Sequence, residues 1–267
     1  MIVDGTAIAD RVYARARDGV AALKRTPTVA IITCAPNFET RKYLALKKRK
    51  ARVLGIHINI IELPPDSATS VFVGVIQDAA SSADALIVQL PLPAGVDTDA
   101  VLSAIPPDRD ADALNPATTT RLSPVVGAIY EILVAHNVQV QDASVTVIGS
   151  GRLVGLPAAR WFQSAGASVS IVTKDTADIA YYTRTADIIV SGAGVAGLLT
   201  SDMVRDGAVI LDAGTSEDGG VLKGDADPAC ADKAALFTPV PGGIGPITIA
   251  ILMENVVKCA EIRQTVL

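Results

Sequence analysis

Three groups of residues in this chain have the types and spacing that chemistry requires. Tyr43 and Lys47 stand four apart in a segment with helical character, so the phenol and the ammonium share one face, one turn apart. Arg41, Lys42, Lys48, Arg49 and Lys50 crowd the same stretch, so a solvated basic face is the competing reading. Gln89 closes the apolar run Ala85–Val88 and is followed by Leu90-Pro91-Leu92-Pro93. A glutamine there would sit at the carboxyl end of a strand, where open α/β sheets present their ligands, or would satisfy a loop amide. Gly149, Gly151 and Gly155 follow the β-branched run Val145–Ile148 and precede Pro157. Strand, glycine loop and helix start make a phosphate cradle. Glycines let the backbone approach a pyrophosphate, and the helix N-terminus meets its charge. The spacing is GxGxxxG rather than GxGxxG, which leaves open a plain strand-to-helix turn.

The elements that must position these residues alternate along the chain. Helices are expected over 4–24, 37–54, 70–80 and 97–105, with Gly55 stopping the second and Asp97 capping the fourth. Strands are expected over 28–33, 57–63 and 85–89. The proline- and charge-rich run 106–112 and the threonine-rich run 115–121 mark a boundary. Ser123 is the expected cap, and Pro124 the first residue, of a bridging helix. Further strands fall at 145–148, 168–172, 187–190 and 208–211, and a last helix at 246–262. Strands alternating with helices imply parallel sheets and right-handed crossovers. The fold class is therefore α/β in two lobes, an N-terminal α/β lobe and a Rossmann-type lobe, with the C-terminal helix packing back on the first. The domains are 1–122, completed by 246–267, and 123–245.

Composition narrows the function. The 267 residues are half hydrophobic, enough for a sizeable core, yet no apolar run approaches a membrane span. The N-terminal stretch has no basic or apolar leader region, so no secretory signal is expected. Three scattered cysteines fit a reducing cytoplasm, and the two histidines lack metal-ligand neighbours, so no metal is expected. A net charge of −5 without a basic, aromatic-interleaved stripe makes nucleic acid a poor partner.

Nearly end to end, the chain resembles the bifunctional methylenetetrahydrofolate dehydrogenase/cyclohydrolase family. The resemblance runs through Tyr43-x-x-x-Lys47, Gly55-Ile56, Val88–Pro93 and Arg109-Asp110-Ala111-Asp112. It continues through Gly149–Pro157, Ala186-Asp187-Ile188, Asp212-Ala213-Gly214 and Gly224-Asp225, and ends with the long run Thr238–Thr248. Chain order argues against the rival Tyr-x-x-x-Lys pair, that of the short-chain dehydrogenases, whose glycine loop precedes the pair.

The resemblance implies oxidation of 5,10-methylenetetrahydrofolate by NADP, with NAD as the alternative, then hydrolysis to 10-formyltetrahydrofolate. It implies folate between the lobes, Lys47 as the catalytic lysine, Tyr43 on the folate ring and helping place Lys47, and Gln89 hydrogen-bonded to that lysine. Asp112 would anchor the pterin, although a solvated acid like Asp108 is the alternative. Pro241, Gly242 and Gly243 would line the folate site. Gly149, Ser150, Gly151, Arg152, Val154, Gly155, Thr173, Lys174, Gly192, Ala193 and Gly194 would hold the dinucleotide. A cytoplasmic homodimer, paired through the cofactor-binding lobes, is also implied. Retention of one activity, or a nucleotide-responsive binding protein, are the rival readings. The chain departs from the family at Ser150-Gly151 and Thr173-Lys174, at Ala113 where glycine is usual, and in a shorter 115–123 linker. Lys174 with Ser150 or Arg152 would favour a 2′-phosphate and hence NADP; Asp175 beside it would favour NAD.

Overall fold

The computed structural model describes residues 1–266, which divide into two compact units. One holds Arg11–Pro124 and the chain from Ile249 onward. The other holds Met1–Asp10 and Val125–Thr248.

The first unit contains most of α1 (Gly5–Ala22), then β1 (Thr28–Cys34), α2 (Phe38–Leu54), β2 (His57–Leu63), α3 (Thr69–Ser82), β3 (Ala85–Val88) and α4 (Thr98–Ser103). Its sheet runs β2-β1-β3, all parallel. β1 is central and buried along nearly its whole length, which suits its run of Val, Ile and Ala; a parallel strand covered on both faces reads as continuous apolar sequence. Ile32, Phe72, Ile76, Leu86, Val88 and Leu102 form the core beneath it. Asp97 caps α4 by accepting from the Ala100 amide, and Gly55 ends α2 with a left-handed φ of 76°.

The proline- and charge-rich run is not a free boundary. The Leu86 amide donates to Arg109 O at 2.7 Å, and the Ala111 amide to Leu86 O at 3.2 Å, so Arg109–Ala111 lies along β3. The outer edge of β3 carries backbone groups that need partners, and this segment supplies them. From Ile249 onward the C-terminal helix α8 (Ile244–Val266) packs back on this unit, as expected. Asn255 Nδ2 donates to Ala111 O at 2.9 Å and Leu122 O at 3.0 Å. Glu254 pairs with Arg15, and Arg263 donates to Ser81 O.

The main segment of the second unit opens with α5 (Pro124–Ala135), whose first residue, Pro124, is the last of the first unit's Arg11–Pro124 segment. Pro124 opens α5, as expected, but the Ser123 hydroxyl is buried without a partner and does not cap it. The unit continues through β4 (Ser144–Ile148), α6 (Gly155–Ser164), β5 (Ser168–Val172), α7 (Ile179–Thr183), β6 (Ile188–Ser191) and β7 (Val209–Asp212). A hairpin of β8 (Ser216–Asp218) and β9 (Val221–Lys223) precedes β10 (Leu236–Phe237). The main sheet runs β10-β7-β6-β4-β5, all parallel. From β4 the chain moves outward to β5, then returns to lay β6 on the opposite side. That reversal opens a crevice at the carboxyl ends of β4 and β6.

Met1–Val3 runs beside β10: Val3 N donates to Phe237 O, and Phe237 N to Met1 O, both at 2.9 Å. These bonds hold the first residues in the second unit rather than in the 1–122 domain expected for them. β8, β9, β10 and α7 are elements that periodicity does not locate; each is five residues or shorter.

Candidate active site

The chemistry of the first unit centres on one amine. α2 buries Leu44, Lys47, Ala51 and Leu54, a stripe at helical spacing in which a lysine occupies a core position. Lys47 is 3% exposed, while Arg41, Lys42, Lys48 and Arg49 are exposed. The solvated basic face is therefore real for those four and does not include Lys47. A lysine inside an apolar stripe is the sequence signal that separates it from its neighbours.

Lys47 Nζ donates to Gln89 Oε1 at 3.0 Å and lies 4.9 Å from the centre of the Tyr43 ring. Gln89 Nε2 donates to Leu90 O at 2.9 Å, which turns its oxygen towards Lys47. Gln89 is carried to this place by the sheet: its amide donates to Ile32 O, continuing the β1–β3 ladder past Val88. The loop Gln89 begins includes a cis Leu90–Pro91 peptide. Burial lowers the Lys47 pKa, and the charge of Asp112 acts against that shift. A neutral amide as hydrogen-bond partner orients the amine without the charge stabilisation a carboxylate would add. Burial and the Asp112 charge push the Tyr43 phenol upward, so it stays protonated and is no base near neutral pH.

Asp112 is half-buried; burial raises its carboxyl and the Lys47 charge opposes this. The turn that holds it is closed by Asp110, a residue to which sequence reasoning assigned no role. Asp110 Oδ2 accepts from the Asn115 amide at 2.7 Å and Thr118 Oγ1 at 2.9 Å, while Oδ1 is buried without a partner. Burial first, then the Asp112 charge, pushes Asp110 up to about 6. Within this turn Ala113 has a φ of 51°, the left-handed region that explains why glycine suits the position. Asp108, by contrast, is exposed beside Arg109.

In the second unit the glycine loop lies at the crevice between β4 and β6. Gly149 N donates to Val172 O at 2.8 Å and Gly192 N to Ile148 O at 2.9 Å, which puts the loops after β4, β5 and β6 side by side. A Cβ on Gly155 would lie 2.0 Å from Gly149 O, so the helix start can approach the loop only without one. A Cβ on Gly151 would meet nothing within 4 Å, and its φ is not left-handed; nothing in the protein itself demands glycine there. No side chain caps α6 at Val154, so its first amides are not claimed by one. Open space at Gly151 and an uncapped helix start fit a dinucleotide pyrophosphate. Ser150, Arg152 and Lys174 are exposed, and Thr173 opens a turn after β5 whose Oγ1 accepts from the Asp175 amide. Gly192, Ala193 and Gly194 follow β6, and Val154 packs where Gly192 lacks a side chain. Pro241 follows a cis peptide bond, Gly242 O accepts from the Gly5 amide at 3.0 Å, and Gly243 N donates to Pro239 O at 2.8 Å.

Two buried aspartates complete this unit. Asp212 accepts from the Gly214 and Ala226 amides, and burial pushes it up to about 6. Asp225 accepts from Ser191 and from the loop after β6. The Asp212-Ala213-Gly214 and Gly224-Asp225 motifs were visible in the sequence, but their side-chain roles were not. Among the described residues, no helix is long and apolar enough to cross a membrane.

Comparison with known proteins gives a consistent result. Residues 3–112 match the tetrahydrofolate dehydrogenase/cyclohydrolase catalytic domain, and residues 123–264 match that family's NAD(P)-binding domain. The bifunctional protein FolD of Lactobacillus acidophilus is 36% identical over 271 residues, covering 96% of each chain. The crystal structure of the bifunctional FolD dehydrogenase/cyclohydrolase of Campylobacter jejuni superposes with a TM-score of 0.94 at 30% identity, covering 98% of this chain and 99% of that one. The Trypanosoma brucei FolD structure, complexed with NADP cofactor and an inhibitor, has a TM-score of 0.92 at 30% identity, covering 99% of this chain and 98% of that one.

Proposed function

The chain belongs to the tetrahydrofolate dehydrogenase/cyclohydrolase family, and on that premise we propose how its residues divide the two reactions. The protein oxidises 5,10-methylenetetrahydrofolate to the 5,10-methenyl compound with NADP, then hydrolyses that product to 10-formyltetrahydrofolate. The observation that carries the assignment of roles is the buried Lys47 amine, hydrogen-bonded to Gln89 beside the Tyr43 ring.

The two steps ask different things of the protein. In the first, the hydride of the methylene carbon passes to the nicotinamide, which NADP supplies when bound. The flanking folate nitrogens stabilise the cation that develops, so the protein's part is alignment. Tyr43 stacks on the folate ring, Asp112 accepts the paired donors of the pterin's amino-pyrimidine edge, and Pro241, Gly242 and Gly243 contribute to folate binding. In the second step, water adds to the methenyl carbon and loses a proton, and a ring nitrogen gains one as the bridge opens. Lys47 shuttles those protons. Its pKa is lowered by burial, towards the range where an amine can both take and give a proton. Gln89 keeps the amine aimed.

The dinucleotide is held by Gly149, Ser150, Gly151, Arg152, Val154 and Gly155, by Thr173 and Lys174, and by Gly192, Ala193 and Gly194. Lys174, with Ser150 or Arg152, binds the 2′-phosphate that distinguishes NADP from NAD. The protein works in the cytoplasm, in keeping with three free, buried cysteines. It is a homodimer paired through the cofactor-binding units. The exposed edge of β5, with Ile171 41% exposed and Tyr181 69% exposed on neighbouring α7, is the apolar surface that supports this pairing.

The test is to supply purified protein with methylenetetrahydrofolate and NADP, or NAD in a parallel assay, and to follow methenyl- and 10-formyltetrahydrofolate separately. Both products with NADP are expected. Accumulation of the methenyl compound alone would remove the hydrolytic half of the reading.

A further inference from the structure

The loop after β6 owes its shape to a residue that lies far along the chain. Asp225 Oδ2 accepts from Ser191 Oγ at 2.7 Å, from the Ala193 amide at 2.7 Å and from the Gly194 amide at 3.2 Å. Its Oδ1 accepts from the Val195 amide at 2.8 Å. One carboxylate thus takes three successive backbone N–H groups and a hydroxyl, close to all that its lone pairs can accept. Asp225 is fully buried. The room it occupies exists because Gly214 has no side chain: a Cβ there would lie 2.0 Å from the Asp225 carboxyl carbon. The loop so held is pressed against the glycine loop, where a Cβ on Gly149 would meet Gly192 O at 3.0 Å and Ala193 Cα at 3.4 Å.

We infer that Asp225 is a positioning residue for the dinucleotide, acting through the Gly192–Val195 loop rather than by touching the cofactor. The inference rests on the dinucleotide reading of the glycine loop given above. It has a chemical consequence for the loop. The amides of Ala193, Gly194 and Val195 are already spent on a carboxylate, so they are not phosphate ligands. The loop then meets the dinucleotide through its carbonyls and apolar surface, and the groups it receives are neutral donors such as ribose hydroxyls or a carboxamide. The pyrophosphate is left to the loop after β4.

Asp225→Asn tests this. An asparagine has a single acceptor oxygen, so in either amide orientation an N–H donor of the side chain faces at least one backbone N–H. Expected results are a rise of about tenfold or more in the KM and Kd for NADP, with hydrolysis of supplied methenyltetrahydrofolate within about twofold of wild type. That hydrolysis consumes no dinucleotide, so a selective loss separates positioning from general damage. Ser191→Ala removes one donor, leaves the carboxylate in place and serves where Asp225→Asn does not fold; a smaller rise in the same two constants is expected. NADP binding is read directly, by fluorescence titration, alongside the rates. Wild-type protein that binds NADP, with folded Asp225→Asn or Ser191→Ala binding it equally well, overturns the inference alone. Loss of both activities in parallel with a lowered Tm also overturns it, since Asp225 would then be only a structural residue. Wild-type protein that binds no NADP overturns the dinucleotide reading and the inference with it.

Discussion

Lys47 has the chain of neighbours that a proton shuttle needs: an apolar stripe that lowers its pKa, an amide that aims it and a ring beneath it. Lys47→Met keeps most of the bulk and removes the titratable amine. Cyclohydrolase activity should fall by roughly 10²- to 10⁴-fold, the usual worth of general acid–base catalysis. Dehydrogenase activity should fall much less, so methenyltetrahydrofolate should accumulate. Lys48→Met, on the exposed face, should spare both. Side-by-side assays decide it, and near-normal hydrolysis by Lys47→Met would take Lys47 out of the mechanism. Asp110 allows a second test at this scale, on stability. Its folded pKa of about 6 stands above the ordinary 3.8, so its contribution is fully present below the unfolded value and is lost as pH rises through the folded one. Acidifying from about pH 7.5 to about pH 5, still above the unfolded value, should therefore recover roughly 1–1.5 kcal/mol from this group. Asp110→Asn accepts the same Asn115 amide but carries no charge, so its Tm should respond less favourably to acidification than that of wild type. Identical responses in thermal melts at the two pH values would mean that the buried carboxyl does not titrate in this range.

At the scale of the element, the strand–loop–helix from β4 to α6 separates two reasons for a glycine. Gly155 is demanded by the protein, since a Cβ would collide with Gly149 O at 2.0 Å. Gly151 is demanded by nothing in the protein. Gly155→Ala should lower Tm and impair folding, by an amount on the order of other overpacked sites, about 1–3 kcal/mol. Gly151→Ala should leave Tm within about a degree of wild type yet raise the KM for NADP, because the added methyl occupies the approach of the pyrophosphate. A normal KM in Gly151→Ala would mean that the loop binds no phosphate at that residue. The same scale accounts for the turn between Asp110 and Asn115. A left-handed alanine at Ala113 is held there by two bonds to the Asp110 carboxylate.

At the scale of the whole molecule, β5 is the edge strand of its sheet, with no strand on its outer side among the described residues, and its Ile171 is exposed. If the second unit pairs two copies, Ile171→Lys should shift the protein from dimer towards monomer in sedimentation or light scattering, because it places a charge on the edge. A wild-type protein that sediments as a monomer at micromolar concentration would refute the pairing.

Much of this protein was legible before its structure. Alternating strand and helix periods are local properties, so β1, α2, β2, β4, β5 and the carboxyl-end position of Gln89 followed from the residues themselves, within a residue or two at each end. The Tyr43–Lys47 spacing, the glycine loop and the closing Thr238–Thr248 run were likewise present in one dimension. β10, the β8–β9 hairpin and the Met1–Val3 pairing were not, because segments that short carry no period, and β10 and Met1–Val3 are ordered by partners distant in sequence. Ser123 precedes Pro124 as a cap would, yet its hydroxyl is buried without a partner and caps nothing. The sequence alone determined which chemistries were available: an amine, an amide, a carboxylate and a glycine loop, in an order that one family shares. Only the tertiary structure decided which of six neighbouring cations is buried against Gln89, which of two nearby aspartates closes the turn and which stands within reach of the amine's charge, and what holds the Gly192–Val195 loop. Burial, hydrogen-bond satisfaction and the pKa shifts that follow from them depend on what surrounds a side chain, and residues far apart in the chain supply those surroundings.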